Sequence, residues 1–277
     1  MFCFPAAGIV EHEYNAEFRR YHQLCLSILK EFGFGQGVME TRIRTELDEL
    51  VSELRARDGR PLYPEDVVSR SVLNVIASVL FSERYAFDSA ESGRVLSTTR
   101  TWVRDSIDGN ALNFVPALIH LPRYGSLIKR NVALQEELFQ WFDGKISGAM
   151  AEDAAECFVK SFVRAEGAGF DREMLVYTLR DLTVAGAETS ATTLLWAFAM
   201  LANHPDVQRR LHAEIDAVFP RDHPPSYEDR AKLPYVEAAI LELMRYKTLV
   251  PLGVPHTTLC DTEVGGFFIP KDTMVGF

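Results

Sequence analysis

Glu188 and Thr189 stand side by side in DLTVAGAETSATTLLWAFAMLA, residues 181–202, a stretch with the apolar texture of a long buried helix. A carboxylate beside a hydroxyl has the side-chain types needed to hold and pass a proton as a general acid. Glu188 is the only charged residue between Asp181 and Asp206, and a lone carboxylate in such a run is costly unless paired or put to use. Gly186 sits in the helix interior, where glycine costs about 1 kcal/mol relative to alanine. Without a side chain there, something bulky can approach the backbone. Packing offers its own account: Thr189 bonds back to the carbonyl of Ala185, and Glu188 points at a solvated edge. A bilayer span would also fit ~20 apolar residues, but five Ser/Thr residues and Glu188 within the stretch argue against it.

A second constellation lies in PYVEAAILELMRY. Glu242 and Arg245 are three residues apart, hence neighbours on one helix face. Ile240, Leu241, Leu243 and Met244 around them imply an enclosed helix and a buried pair. On a surface such a pair is worth only ~0.3 kcal/mol. Buried, it is a fixed element whose disruption strands a charge at a cost of roughly 3–5 kcal/mol. The chain then turns extended, and VPHTTLCDTEVGGFFIPKDTMV reads as two short strands around a turn at residues 260–262. His256 falls at its start.

The elements that must carry these residues are mostly helical. Leu175, Leu179, Leu182, Gly186, Thr189, Thr193 and Trp196 recur at helical spacing and share a face. Upstream, residues 11–32 form an amphipathic helix through Phe18, Tyr21, Leu24, Cys25, Ile28 and Leu29, closed by the glycines of FGFGQG. Further helices are predicted over residues 38–57, with an apolar stripe of Ile43, Leu47, Leu50, Val51 and Leu54, and over 64–81, 89–107, 126–150 and 156–166. Residues 113–125 read as an apolar loop pinned by Pro116 and Pro122, a surface of the kind that meets a partner or a membrane. HPDVQRRLHAEIDAVF opens a helix at Pro205, where proline is favoured. No repeat or interdomain linker is visible, and residues 1–277 are expected to form one domain.

Composition narrows the class. A net charge of −10 and a pI near 5.2, with no long basic block, argue against nucleic acid as a partner. Cys3, Cys25, Cys157 and Cys260 are scattered, which suits free thiols rather than a disulfide scaffold or a zinc site. The opening MFCFPAAGIV is too short to span a membrane.

AGAETS on a long helix, ELMR some fifty residues later and PLGVPHTT leading into a hairpin together resemble a cytochrome P450. The resemblance is to the microsomal animal branch that oxidises drugs, steroids and fatty acids, and it runs through LSILKEFGFG and HPDVQRRLHAEID as well. It implies a mainly helical fold with a small β portion, here an internal fragment truncated at both ends. The implied cofactor is haem b, with electrons from NADPH through NADPH–cytochrome P450 reductase. The implied activity inserts one oxygen atom of O2 into a small apolar organic substrate, at the cytosolic face of the endoplasmic reticulum membrane.

The resemblance also assigns roles. Ala185 and Gly186 would be the small residues over the haem, Thr189 the helix alcohol that assists oxygen activation, and Glu188 the adjoining acid of a proton relay. Glu242 and Arg245 match the family's structural E-x-x-R. His256 matches a position that binds a haem propionate. The family's W-x-x-x-R propionate pair falls on Phe18 and His22, an aromatic without an N–H donor and a pH-dependent substitute for arginine. The glycine-containing loop F-x-x-G-x-x-x-C-x-G, which carries the axial thiolate, is expected beyond Phe277, and so is the P-x-R-F arginine. The membrane anchor is expected before residue 1, and no cysteine present here is assigned to iron. The chain as given is therefore expected to be inactive. The competing readings are a truncated paralogue acting as a helical binding protein, and a helical interaction module with no haem history.

Overall fold

The computed structural model describes residues 8–35, 37–220 and 226–276. Cys3 with the apolar opening residues 1–7, the Gln36 portion of the glycine stop, and the chain end at Phe277 lie outside them. The chain divides into two compact units, one running to Ala191 and the other from Thr192 onward.

Helices build the first unit: α1 (Ala16–Glu31), α2 (Gly37–Ala56), α3 (Pro64–Leu80), α4 (Ala90–Asp108), α5 (Pro122–Ala149), α6 (Phe158–Glu166) and the first part of α7 (Arg172–Asn203). The first helix starts at Ala16 and not at residue 11, because Asn15 takes the capping position and its side-chain oxygen accepts a hydrogen bond from the Phe18 N–H at 2.8 Å. Its end is a Schellman turn, in which Phe34 N–H donates to the Leu29 carbonyl and Gly33 N–H to that of Lys30. Gly33 has φ +94°, and a Cβ there would lie 2.7 Å from the Met39 nitrogen, so glycine is required. Ser89 caps α4 through the Ser92 N–H.

Of the stripe expected on α2, only Leu50 is buried, whereas Ile43, Leu47 and Val51 are exposed. The predicted apolar loop over 113–125 is more ordered than a loop. It consists of two 3-10 turns, Asn110–Asn113 and Pro116–His120, and then the start of α5 at Pro122. The reason is local, since proline's fixed φ suits the first helical position.

The core of this unit is aromatic and aliphatic. Phe142, Phe158 and Phe162 are wholly enclosed together with Leu73, Leu80, Leu138, Ile146, Leu175 and Leu179. α4 packs on α5, α2 on α3, and α1 on α6. Met174 through Asp181 are all buried, so this end of α7 is covered on every side and not along one stripe. α7 has the length and hydropathy to cross a bilayer, yet its first turns lie within this helical core.

The second unit holds the last turns of α7, α8 (Pro205–Val218), α9 (Pro234–Tyr246) and four short strands. Strand β1 (His256–Thr257) pairs antiparallel with β4 (Met274–Val275), and β2 (Thr262–Val264) with β3 (Phe267–Ile269). The hairpin turn falls at Gly265 and Gly266, with φ +61° and +83°, and not at residues 260–262 as the sequence reading had it. Two consecutive positive φ values are what a tight two-residue hairpin needs, and glycine supplies both. The end of α7, α8 and α9 line an open apolar groove of about 750 Å³ that includes Met200, Leu211, Ile215 and Leu243.

Candidate functional site

Halfway along α7 the burial changes. Ala187 and Ala191 face the core, Gly186 and Glu188 are half-buried, and Ala185 and Thr189 are exposed. Ala185 and Thr189 are one turn apart, so they share a face that carries nothing larger than a methyl and a hydroxyl. The Thr189 hydroxyl donates to the Ala185 carbonyl at 2.6 Å, as the packing account predicts. That donation commits the hydroxyl's one proton to the helix backbone.

Glu188 does not point at open solvent. Its Oε1 lies 3.7 Å from Nε of Arg100 on α4. The same guanidinium sits 3.0 Å from Glu65 through Nη1 and donates through Nη2 to the Ser69 hydroxyl at 2.6 Å, both on α3. Burial pushes the Glu188 carboxyl above its ordinary value; Arg100 pulls it back in part, and Glu65 adds to the rise. The sequence showed Glu188 as a carboxylate in need of a partner but not which partner, since Arg100 lies 88 positions away in the chain and looks like any other helix cation.

The room at Gly186 is occupied. A Cβ there would meet Cδ1 of Ile76 at 2.7 Å and Cγ1 at 3.2 Å, so the bulky group approaching this backbone is a side chain of α3.

One turn and a half upstream is a cluster that the sequence reading missed. Arg180 and Asp181, adjacent and both buried, are ion-paired at 2.8 Å. Asp181 Oδ2 also accepts the N–H groups of Ile9 and Val10 at 2.8 and 2.9 Å. The Arg180 guanidinium lies 5.3 Å from the ring centre of Trp102 and 5.0 Å from that of Tyr177, a cation–π setting. Glu11, 3.4 Å from Arg180, has its carboxyl pushed up by burial against the pull of that arginine. Two adjacent opposite charges inside an apolar helix were the available signal.

Phe18 and His22 stack with ring centres 5.7 Å apart, and Tyr14 and His12 also meet Phe18, at 5.6 and 6.1 Å. In the second unit, Glu242 and Arg245 form a two-bond fork, 2.7 Å in each arm. The expectation that this pair is buried is overturned: their side chains are 60% and 70% exposed, and no residue of α9 is buried. Among the described residues α9 packs chiefly on α8 and the turn Tyr227–Lys232, which leaves the face bearing the pair uncovered. The hydrogen bond from Arg245 holds the Glu242 carboxyl below the usual range. His256 opens β1 opposite Val275 and is exposed.

Cys25 and Cys157 are buried and Cys260 is exposed, and burial pushes the Cys25 thiol up to about 12. Among the described residues no group of three or more His, Cys, Asp or Glu side chains is placed to hold a metal ion.

The cytochrome P450 family profile matches residues 3–277. The chain is similar to cytochrome P450 2D15 of the dog, Canis lupus familiaris (32% identity over 96% of this chain and 55% of that one). It is also similar to vitamin D(3) 25-hydroxylase of the pig, Sus scrofa (31% identity, 96% and 55%). A zebra fish cytochrome P450 solved with progesterone superposes with a TM-score of 0.82 at 27% identity, over 97% of this chain and 63% of that one. The chain belongs to the cytochrome P450 family. It spans about half the length of the curated relatives it matches. The mainly helical fold with a few small strands is the one the family resemblance implies.

The family's prosthetic group is haem, and α7 fits one at the exposed turn. Ala185 and Thr189 are exposed and without bulk, a face that would admit a flat ring. The adjoining side, at Gly186, is closed by Ile76.

Proposed function

We propose that this protein is a haem-dependent monooxygenase that places one oxygen atom of O2 in a small apolar organic substrate and releases the other as water. The observation that carries the reading is the acid–alcohol pair Glu188–Thr189 beside the open, small-residue turn of α7 in a member of this family. Ala185, Phe18, His22 and His256 are the residues of this chain that would hold the haem, Gly186 being taken up by its contact with Ile76, and Glu242 with Arg245 the pair that braces its surroundings. When bound, haem supplies the redox chemistry of oxygen activation.

The side chains supply protons and shape. Insertion of one oxygen atom takes up two electrons and two protons for the water formed, so a proton path is required. Glu188 is half-buried with its carboxyl pushed up, which keeps a proton on it nearer to neutral pH than on an ordinary glutamate. Thr189 Oγ1 donates its hydrogen bond to the Ala185 carbonyl, so in this reading it accepts at its lone pairs. In this reading Glu188 and Thr189, about 100° apart around the helix, are the successive donor and acceptor of the path. Burial of Met174 through Asp181 keeps water from the upstream turns of α7.

The names of two relatives, a vitamin D(3) hydroxylase and a P450 solved with progesterone, support an apolar, sterol-sized substrate. NADPH through its P450 reductase is the electron source in this reading, and the cytosolic face of the endoplasmic reticulum is its place. The exposed Phe114, Val115, Ile119 and Leu121 are an apolar surface suited to a membrane. The test is Thr189→Ala in the full-length, haem-loaded protein. Substrate binding stays near the starting affinity, while product formed per NADPH consumed falls and peroxide appears. An unchanged product-to-NADPH ratio would remove Thr189 from the relay.

A further inference from the structure

Arg100 is shared. Its three guanidinium nitrogens meet three partners: Nη1 faces Glu65, Nη2 donates to Ser69 and Nε faces Glu188. Ser69 is neutral and almost fully buried, so it fixes where the guanidinium sits without competing for its charge. Glu65 and Glu188 do compete. They come from different helices, α3 and α7, and the single cation between them is closer to Glu65 (3.0 Å) than to Glu188 (3.7 Å). Glu65 has 55% of its side chain exposed and Glu188 has 21%, so solvent screens the first carboxylate far more than the second.

We propose that Arg100 and Glu65 are positioning residues that set the protonation of Glu188, Arg100 by stabilising its charged form and Glu65 by holding part of that arginine's charge away from it. Neither touches substrate or cofactor; both act through Glu188. The charged groups that meet Glu188 are Arg100 on α4 and Glu65 at the first turn of α3. The direction of each influence follows from Coulomb's law at short range in a half-buried place. Where Glu65 draws the guanidinium toward the surface, Glu188 keeps its proton. Where Arg100 swings to Glu188, that proton is released. Movement of α4 against α3 is thereby coupled to the charge of the relay acid.

That consequence rests on Glu188 being the relay acid, but the coupling itself is measured without that assumption. The experiment is a pH titration of side-chain carboxyls in this chain without haem, by carbon-13 NMR of glutamate-labelled protein, with Glu188→Gln identifying the resonance. Arg100→Gln is expected to move the Glu188 midpoint up, Glu65→Gln to move it down, and Arg100→Lys to keep it close to the starting value. Because Glu65 is half-exposed at a helix start, its variant keeps the fold and tests the proposal even where Arg100→Gln loosens the contact between α3 and α4. Midpoints that stay put in both Glu65→Gln and Arg100→Gln overturn the proposal. An unchanged product-to-NADPH ratio in Thr189→Ala would instead strike at the relay reading and leave the titration result standing.

Discussion

Arg180–Asp181 and Glu242–Arg245 are the same chemistry in opposite surroundings. Both are arginine–carboxylate pairs on helices, 2.8 and 2.7 Å long. In the first, 4% and 6% of the side chains are exposed; in the second, 70% and 60%. The contrast extends to the units that hold them. Up to Ala191 the helices bury a common core and Met174 through Asp181 are buried without a break, whereas among the described residues from Thr192 onward only Leu211 and Phe219 are buried apolar residues. Pairing therefore has no fixed worth in this chain. Where water is excluded, each partner is needed to offset the other's desolvation; where water reaches both, solvent does that task.

The largest effect is expected from breaking the buried pair. Asp181→Ala leaves the buried Arg180 with the longer contact to Glu11 in place of its 2.8 Å partner and takes the acceptor from Ile9 and Val10. The cost is roughly 3–5 kcal/mol, read as a lower urea midpoint. Glu242→Ala, made in the same background, leaves the midpoint where it was. A loss at Glu242 matching that at Asp181 would mean that exposure does not govern these pairs.

Apolar side chains extend the comparison. Leu179→Ala, in the closed part of α7, removes a fully buried side chain at about 3 kcal/mol. Leu241→Ala on α9 removes one that is 62% exposed, with a change within about 0.5 kcal/mol. Chemical denaturation of the two variants side by side checks both values.

Most helices were legible because their signals are local. Ser89 and the prolines at 64 and 205 mark helix starts by chemistry that needs no tertiary partner, whereas the equally local signals at Asn15 and Pro122 lost to starts read at residues 11 and 126. The hairpin turn was misplaced although GlyGly was in plain sight, because the polar stretch at residues 260–262 also carries turn chemistry. What the sequence could not show was which faces are covered. The apolar neighbours of Glu242 and Arg245 implied an enclosed helix, yet enclosure depends on packing partners that periodicity does not reveal. At the candidate site Glu188, Thr189 and Gly186 were picked out by type and position alone. Arg100, Glu65 and Ile76, which act on them, sit on other helices and carry no local mark.

A smaller effect separates Glu188 from the strongly paired groups. Its folded-state carboxyl is raised, chiefly by burial, so folding favours the protonated form. The associated stability is fully present below the unfolded glutamate value of about 4.3 and is lost as pH rises through the higher folded value. Glu188→Gln has no such dependence. The stability of the starting chain minus that of Glu188→Gln should therefore fall with rising pH from about 4 upward and then level off. Urea unfolding of both proteins across that range gives the difference, and a rise with pH would show that Arg100 outweighs burial.

The smallest net change, and the sharpest question, concerns Gly186. Replacing it by alanine gains about 1 kcal/mol of helix propensity. The new methyl, however, lands 2.7 Å from Ile76 Cδ1 and 3.2 Å from Cγ1, and crowding of this kind costs roughly 1–3 kcal/mol. Cδ1 ends a rotatable arm, so part of the cost is relieved, and the single variant should be near neutral or slightly destabilised. Ile76→Val deletes Cδ1 and alone costs about 0.5–1.5 kcal/mol. In the double variant the 2.7 Å clash is gone while the propensity gain remains, so the two changes should be coupled favourably by about 1 kcal/mol. That coupling, measured as a double-mutant cycle in denaturant, assigns the glycine to the contact between α3 and α7. Strict additivity would remove Ile76 as its reason and leave the space beside Ala185 and Thr189, and the group that binds there, as the cause of a glycine in mid-helix.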